Sequence, residues 1–233
     1  MKTLIIPDIH TRFDKAEAII SSIDHDNIVF LGDYFDEFYD TLAQNQQAAH
    51  WLKESMKKKD RIHLLGNHDL AYMDQDHRCS GFTENKLVAI ESSGVDLTKL
   101  QHYCWVGDWL CTHAGLSNNF YKYNQKCPSP IDKDECVNVN NFLHNMEDED
   151  KDLLYNVSIH RGGRSKFGGI LWCDYDEFID IDHIKQIFGH TKSNEVRQRQ
   201  DPMHDSEHYC IDTGLKHFAL HDSDGDGMEI MKL

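Results

Sequence analysis

The chain has 233 residues, 39% of them hydrophobic, which suits one large α/β domain with a substantial core better than two small ones. Its formal charge is −16, from 24 Lys+Arg against 40 Asp+Glu, and a surface this acidic argues against sequence-independent binding of nucleic acid. Four prolines and the absence of a Gly/Ser-rich run, an internal repeat or a low-complexity tract leave no linker, so residues 1–233 are expected to form a single domain.

In chain order, residues 3–10 (TLIIPDIH) read as a short buried strand whose C-terminal edge delivers Asp8 and His10. Residues 14–23 carry apolar positions at helical spacing, and residues 27–36 (NIVFLGDYFD) form a second strand ending at Gly32-Asp33. Residues 41–57 look helical, and residues 61–69 (RIHLLGNHD) give a third strand with its own terminal turn. A fourth strand is expected at 109–116 (WLCTHAGL), a fifth at 184–191 (IKQIFGHT), and late strands at 208–215 and 218–233. Strand–helix alternation in the early part favours βαβ units around a buried sheet. Residues 117–160 are polar and are expected to be a helical insertion or cap, with the charge run MEDEDKD on a solvated helix face.

Seven cysteines, at 79, 104, 111, 127, 136, 173 and 210, include no C-x-x-C pair, so neither a disulfide framework nor a zinc knuckle is expected. Cys111 and Cys210 lie in strand-like runs and read as small core residues. The apolar run Leu4–Ile6 is too short for a signal-peptide core or a membrane span, which leaves a soluble, cytoplasmic protein with reduced thiols as the expectation. Asp222, Asp224, Asp226 and Gly227 resemble the start of a calcium loop. The twelfth position is Leu233 rather than a glutamate, and a β-turn between two terminal strands is the better reading.

Five strand ends carry ligand-type residues: Asp8-Ile9-His10, Gly32-Asp33-Tyr34-Phe35-Asp36, Gly66-Asn67-His68-Asp69, Thr112-His113-Ala114-Gly115 and Gly189-His190-Thr191. In open α/β sheets ligands bind at the carboxyl ends of the strands, and Asp-x-His puts two side chains on one side of the chain. Asp, His and Asn donors suit Mn, Fe or Zn, and two such ions can clamp both oxygens of a phosphoryl displacement.

This order of motifs, D-x-H, G-D-x-x-D, G-N-H-D, H and G-H, resembles the calcineurin-like metallophosphoesterases. The likeness is greatest to the phosphoprotein phosphatase branch, with its small phage and bacterial enzymes, and to the symmetrical diadenosine tetraphosphatases. It spans residues 8 to 190, and the late Ile211–Gly214 (IDTG) resembles a family strand. The resemblance implies a four-layer α/β/β/α sandwich and a dinuclear metal centre holding two divalent ions, Mn2+ first, with Fe or Zn as alternatives. Asp8 and His10 would hold the first ion, Asp33 would bridge, and Asn67, His113 and His190 would hold the second. His68 would act as general acid, with Asp36 on its other ring nitrogen, while a metal-bridging hydroxide attacks phosphorus. Asp69 is read as a turn carboxylate or one that supports the ligands. No second histidine stands two residues after Gly189-His190, where the chain has Thr191-Lys192, as in the phosphoprotein phosphatase pattern.

Two departures bear on the substrate. Where the protein phosphatases continue with Arg-Gly, this chain has Glu37-Phe38, and PDIHTR replaces the usual start of the first motif, leaving Arg12 near the site. The run HRGGRSKFGGILWCD at 160–174, similar to runs in some bacterial, protist and phage-like relatives, offers Arg161 and Arg164 as replacement phosphate ligands. The expected substrates are phosphomonoesters, small molecules or phosphoproteins. Dinucleoside polyphosphate hydrolysis or phosphodiester cleavage is the enzymatic alternative. A catalytically silent phosphate-binding module is the alternative of another class.

Overall fold

Alternating burial along the strands sets the layering. The computed structural model describes residues 1–125, 134–225 and 227–233; Cys127, Asp226 and the 126–133 part of the expected insertion lie outside them. In β1 (Lys2–Ile6) and β2 (Asn27–Phe30), Leu4, Ile6, Ile28 and Phe30 share a core with α1 (Phe13–Ser22) and α2 (Leu42–Ser55). The residues between them, Ile5 and Val29, pack instead with Cys104, Trp109, Cys111 and Ile187 of the other sheet. Period-two alternation with both faces apolar is what a sheet covered on two sides requires.

The first sheet has the order β10-β9-β1-β2-β3, with β3 at Arg61–His63, β9 at His217–Asp222 and β10 at Gly227–Lys232. Its β1, β2 and β3 are parallel, with Leu4 opposite Ile28, while β9 runs antiparallel to both β1 and β10. The second sheet, β4-β5-β6-β8-β7, is built from Tyr103–Val106, Trp109–Thr112, Lys185–Phe188, Ser206–Cys210 and Arg197–Asp201 in that spatial order. Here β5, β6 and β8 are parallel. The two sheets and their helices make the expected α/β/β/α sandwich. The C-terminal ends of five parallel strands open toward the same region.

Four elements differ from the sequence expectation. Where a turn was expected after the third strand, Asn67–Met73 forms the helix α3, which starts on polar site residues and so lacks an apolar period at its entry. Helix α4 (Glu84–Glu91) and strand β4 were not anticipated, and neither was β7. Strand β7 reads RQRQD, pairs only with β8 at the sheet edge, and has no apolar alternation to reveal it. The 117–160 segment is helical where described: α5 (Asn118–Asn124) and α6 (Glu135–Glu149). Val139, Phe142, Leu143 and Met146 of α6 are buried in the main core at helical spacing, whereas Asp148 and Glu149 of the charge run are exposed.

No helix among the described residues is long and apolar enough to cross a membrane. All six described cysteines are free, and Cys111 and Cys210 are buried as expected.

A polar thread runs through the core under β2. Arg61 donates to Ser55 Oγ, which lies 3.0 Å from His63 Nε2, and His63 Nδ1 lies 3.0 Å from the Tyr34 hydroxyl. The imidazole stacks on Phe30 at 4.5 Å. Burial and the Arg61 guanidinium push its pKa down to about 3. Between the ordinary imidazole value and about 3 the unfolded chain binds a proton that the folded chain refuses. The contribution of neutral His63 is therefore complete above about pH 6.5 and is lost as pH falls toward 3. Urea unfolding of wild type and His63→Gln should show the wild type losing the extra stability on acidification below about pH 6.5, by up to about 1.4 kcal/mol per unit. Parallel pH curves would exclude a buried neutral imidazole here.

Candidate functional site

Every predicted ligand sits just past the C-terminal end of a parallel strand. Asp8 and His10 follow β1, Asp33 and Asp36 follow β2, Asn67 and His68 open α3 after β3, His113 follows β5, and His190 follows β6. Four of these residues, His10, Asp33, Asp36 and His190, have φ between 45° and 68°. Left-handed backbone at non-glycine residues is uncommon, and its clustering here marks loops bent to aim side chains inward. Glycine makes the close approach possible at two points. A Cβ on Gly66 would overlap Asp33, and one on Gly189 would overlap the Asp8 carboxylate.

The ligand atoms of Asp8, His10 and Asp33 lie within 4.8 Å of one another, and so do those of Asp33, His113 and His190. Asp33 belongs to both groups. Backbone carbonyls, which can only accept, orient two of the rings: His113 Nδ1 donates to Leu31 at 2.8 Å and His10 Nδ1 to Phe35 at 2.9 Å. Their Nε2 atoms then present lone pairs inward. His113 Nε2 lies 2.9 Å from Asn67 Oδ1, and His190 Nδ1 lies 2.8 Å from the same oxygen. His10 Nε2 and His113 Nε2 approach Asp33 Oδ2 at 3.8 and 3.5 Å.

Burial holds His113 and His190 below the ordinary imidazole range, so both are neutral. Burial, with Asp212 and Asp33 close by, pushes the Asp8 carboxyl well up. Converging lone pairs and crowded carboxylates are repulsive alone and attractive around a cation. The buried His190 Nε2 has no hydrogen-bond partner, a further sign that this ring is placed for something other than protein contacts. The residues fit divalent metal ions.

Asp69 ties the loops together. Its carboxylate accepts from the backbone N–H groups of Asp33 (2.8 Å), Tyr34 (2.8 Å) and Gly66 (2.9 Å). Burial and the neighbouring Asp33 push it up to about 8, against the three donors, and positive charge beside Asp33 would relieve that repulsion.

His68 lies on the rim of the two clusters. Its N–H donates to Asp33 Oδ1 at 2.9 Å, its ring meets that of His10 edge-on at 5.3 Å, and its Nδ1 lies 3.1 Å from Asp36 Oδ2. The other Asp36 oxygen accepts from the Tyr72 hydroxyl at 2.7 Å and from Lys86 Nζ at 2.8 Å. Burial disfavours charge on Asp36, but His68, Lys86 and Tyr72 outweigh it and keep the carboxyl below its usual range. On His68 too, burial opposes charge, and Asp33 and Asp36 outweigh it and raise the imidazole well above its usual range. Nothing in the motifs pointed to Tyr72, Lys86 or Cys79, whose Sγ is 3.7 Å from His68 Nδ1. Asp36, His68 and Cys79 also cluster, yet the hydrogen bond between the first two already satisfies that pair.

A family model for calcineurin-like phosphoesterases matches residues 1–194. The chain belongs to the calcineurin-like phosphoesterases. The family's chemistry is hydrolysis of phosphoric esters. No curated protein matches at a significant level. Among solved structures, a protein serine/threonine phosphatase from Saccharomyces cerevisiae is similar, with 11% identity and a TM-score of 0.52, over 100% of this chain and 79% of that one. A metallophosphoesterase from Sphaerobacter thermophilus aligns at 14% identity and TM-score 0.47, over 100% and 88% of the two chains. A chain described as a diadenosine tetraphosphatase aligns at 14% and 0.47, over 99% and 93%. At these identities the likeness is one of fold.

The three predicted arginines of this phosphoesterase fare differently. Arg161 lies beside the His190 loop, its Nε 2.6 Å from Asp174 and its Nη2 donating to Thr191 Oγ1 at 2.7 Å, which leaves Nη1 without a protein partner among the described residues. Trp172, from the same glycine-rich run, meets the His190 ring edge-on at 5.7 Å. Arg12 is held by Glu37 at 3.0 Å and by the Gly214 carbonyl at 3.1 Å. Arg164 is exposed and takes part in none of these contacts.

Asp69→Asn tests the tie. An amide offers one acceptor oxygen where three N–H groups need two, and sets an NH2 against a donor, which should cost about 1–3 kcal/mol. The urea midpoint should fall and bound divalent metal, measured by elemental analysis, should drop because the loops that carry the candidate ligands lose their tie. Normal stability with a full metal complement would refute the role.

Proposed function

We propose that this chain is a divalent-metal phosphatase that hydrolyses phosphomonoesters, phosphoproteins among them, through a dinuclear centre. The observation that carries the reading is the sharing of Asp33 by two ligand groups, with the His68–Asp36 pair placed against that same carboxylate. Asp8 and His10 would hold one ion, Asn67, His113 and His190 the other. Two bound cations, Mn2+ first given oxygen and imidazole donors, would neutralise the phosphoryl oxygens and lower the pKa of the attacking water.

The chain's own residues do the rest. Arg161, with Nη1 uncommitted beside the His190 loop, would take a phosphoryl oxygen and orient the ester. His68, tethered at Nδ1 by Asp36, would donate the proton at Nε2 to the leaving alkoxide. Tyr72 and Lys86 occupy the second Asp36 oxygen, which keeps that carboxylate ionised and the imidazole aimed. The intact ligand set and proton donor weigh against a catalytically silent phosphate-binding module.

Hydrolysis should be lost in chelator and return with Mn2+; full activity in chelator would sink the metal reading. His68→Asn should keep its metal content while kcat for phosphoserine falls by about 10²–10⁴, the usual size of a general-acid contribution. The loss should shrink for 4-nitrophenyl phosphate, whose leaving group is already a stable anion. Asp36→Asn should act in the same direction by less. A variant that sheds metal, or slows both esters equally, would show that His68 is a ligand or an electrostatic group.

A further inference from the structure

A cleft of about 360 Å³ opens beside the candidate centre, lined by Arg12, Lys192, Ser193, Asn194, Thr213, Gly214 and Lys216. That volume falls within the roughly 300–1,000 Å³ of small-molecule sites. In a chain of charge −16, cations converge here. Arg12 and Lys192 lie against Gly214, and Lys15 Nζ reaches the Gly214 carbonyl at 3.5 Å from behind. Lys192 and Lys216 form no ion pair among the described residues, and Arg12 Nη2 is buried without a hydrogen-bond partner. Three acids stand nearby, and the buried Asp212 carboxylate accepts the Gly214 N–H at 3.0 Å. Glu37 is engaged by Arg12, and Glu195 is turned toward His217 at 3.9 Å. Burial, together with repulsion from Arg12 and Lys216, depresses Lys15, so the positive charges are crowded in the absence of an anion.

The cleft's place in the fold adds the second half of the argument. Arg12 is two residues beyond His10 and Lys192 two beyond His190, which puts each Cα within about 7 Å of a candidate ligand's Cα. A substrate whose scissile phosphoryl sits on the centre would lay an adjoining anionic group into this cleft. The Ser193 hydroxyl and Asn194 amide, without a side-chain hydrogen bond among the described residues, add neutral donors.

We propose that this cleft is a second phosphate subsite, and that the preferred small-molecule substrate carries a short oligophosphate chain whose non-scissile phosphates bind Arg12, Lys192 and Lys216. The proposal rests on the phosphatase reading and extends it from the ester bond to the phosphoanhydride bond of a short oligophosphate. Water adds to the terminal phosphorus, the bond from that phosphorus to the bridging oxygen breaks, and the shortened chain leaves with the electron pair. The departing oligophosphate is a stable anion and so asks less of the His68 proton than an alkoxide does, and inorganic phosphate is the other product.

Lys192→Ala/Lys216→Ala, compared with Lys58→Ala/Lys59→Ala as a charge-matched control, provides the test. In the Mn2+-loaded enzyme the first pair should raise KM for ATP at least about tenfold more than KM for 4-nitrophenyl phosphate, the size expected for lost charge-assisted contacts. The control pair should leave that ratio alone. Calorimetric titration of metal-free protein with inorganic tripolyphosphate should show binding weakened by about tenfold or more in the first pair, with a smaller loss for orthophosphate. An unchanged KM ratio with unchanged tripolyphosphate binding would overturn the subsite. A selective loss on an acidic phosphopeptide, with ATP unaffected, would also overturn it by showing that the cleft reads a protein. Should the wild type hydrolyse no ester, the phosphatase reading fails, and the calorimetric result alone decides the subsite.

Discussion

The Asp69 carboxylate is the constraint on which the site depends. It accepts N–H groups from Asp33, Tyr34 and Gly66, and so locks the loop after β2 against the start of α3. Asp33 in turn accepts, through its backbone carbonyl, the N–H groups of Ile9 and His10, which carries the constraint to the loop after β1. Its side chain accepts the N–H of His68. One buried carboxylate thereby fixes the relative positions of three strand ends, and each of those ends presents a candidate ligand or the candidate acid. A loop held only by its own turn would not hold a shared carboxylate to the tolerance that two ions require.

The second sheet is joined to this arrangement through charge and through backbone. His113 reaches across to donate to the Leu31 carbonyl at the end of β2, and the His190 N–H donates to Asp8 beyond β1. The site is therefore a seam between the sheets. Asp8, Asp33, Asp69 and Asp212 are all buried in it, beside His113 and His190, whose imidazoles burial disfavours from charging. Such a group is held apart from water against its own repulsion, and binding of divalent ions would release that strain and add to folding stability.

Much of this was legible in the residues because the motifs are local and each follows an apolar run. Asp-x-His after TLII and Gly-Asn-His after HLL announce both a strand and what hangs from its end. The six proposed ligands and the His68–Asp36 pair, assigned through the family resemblance, lie together in the fold. What the sequence concealed depends on tertiary contact. Lys86 sits on an unanticipated helix 50 residues from Asp36, and nothing in ENKLVAIE indicates that its lysine turns inward onto a buried carboxylate. Strand β7 is an edge strand with no apolar face, so its existence is decided by β8 rather than by its own pattern. Of the two arginines in the glycine-rich run, Arg161 alone is drawn in, because Asp174 and Thr191 are there to hold it. The spacing of the run treats Arg161 and Arg164 alike.

Acidity and phosphate chemistry are reconciled by distance. At physiological salt, fields of exposed charges decay over about 8 Å, so carboxylates scattered over the surface have little hold on an anion already in the cleft. Arg12, Lys15, Lys192 and Lys216 act within that range. The net charge then works at the encounter stage: it slows approach of polyanions such as nucleic acid, whose many phosphates meet the whole surface. A short oligophosphate meets mainly the mouth of the cleft. If the cleft is the proposed subsite, the charge distribution that would repel a long phosphodiester backbone would leave a small, highly charged phosphate compound free to enter, and the division of charge between surface and cleft would itself filter substrates by size.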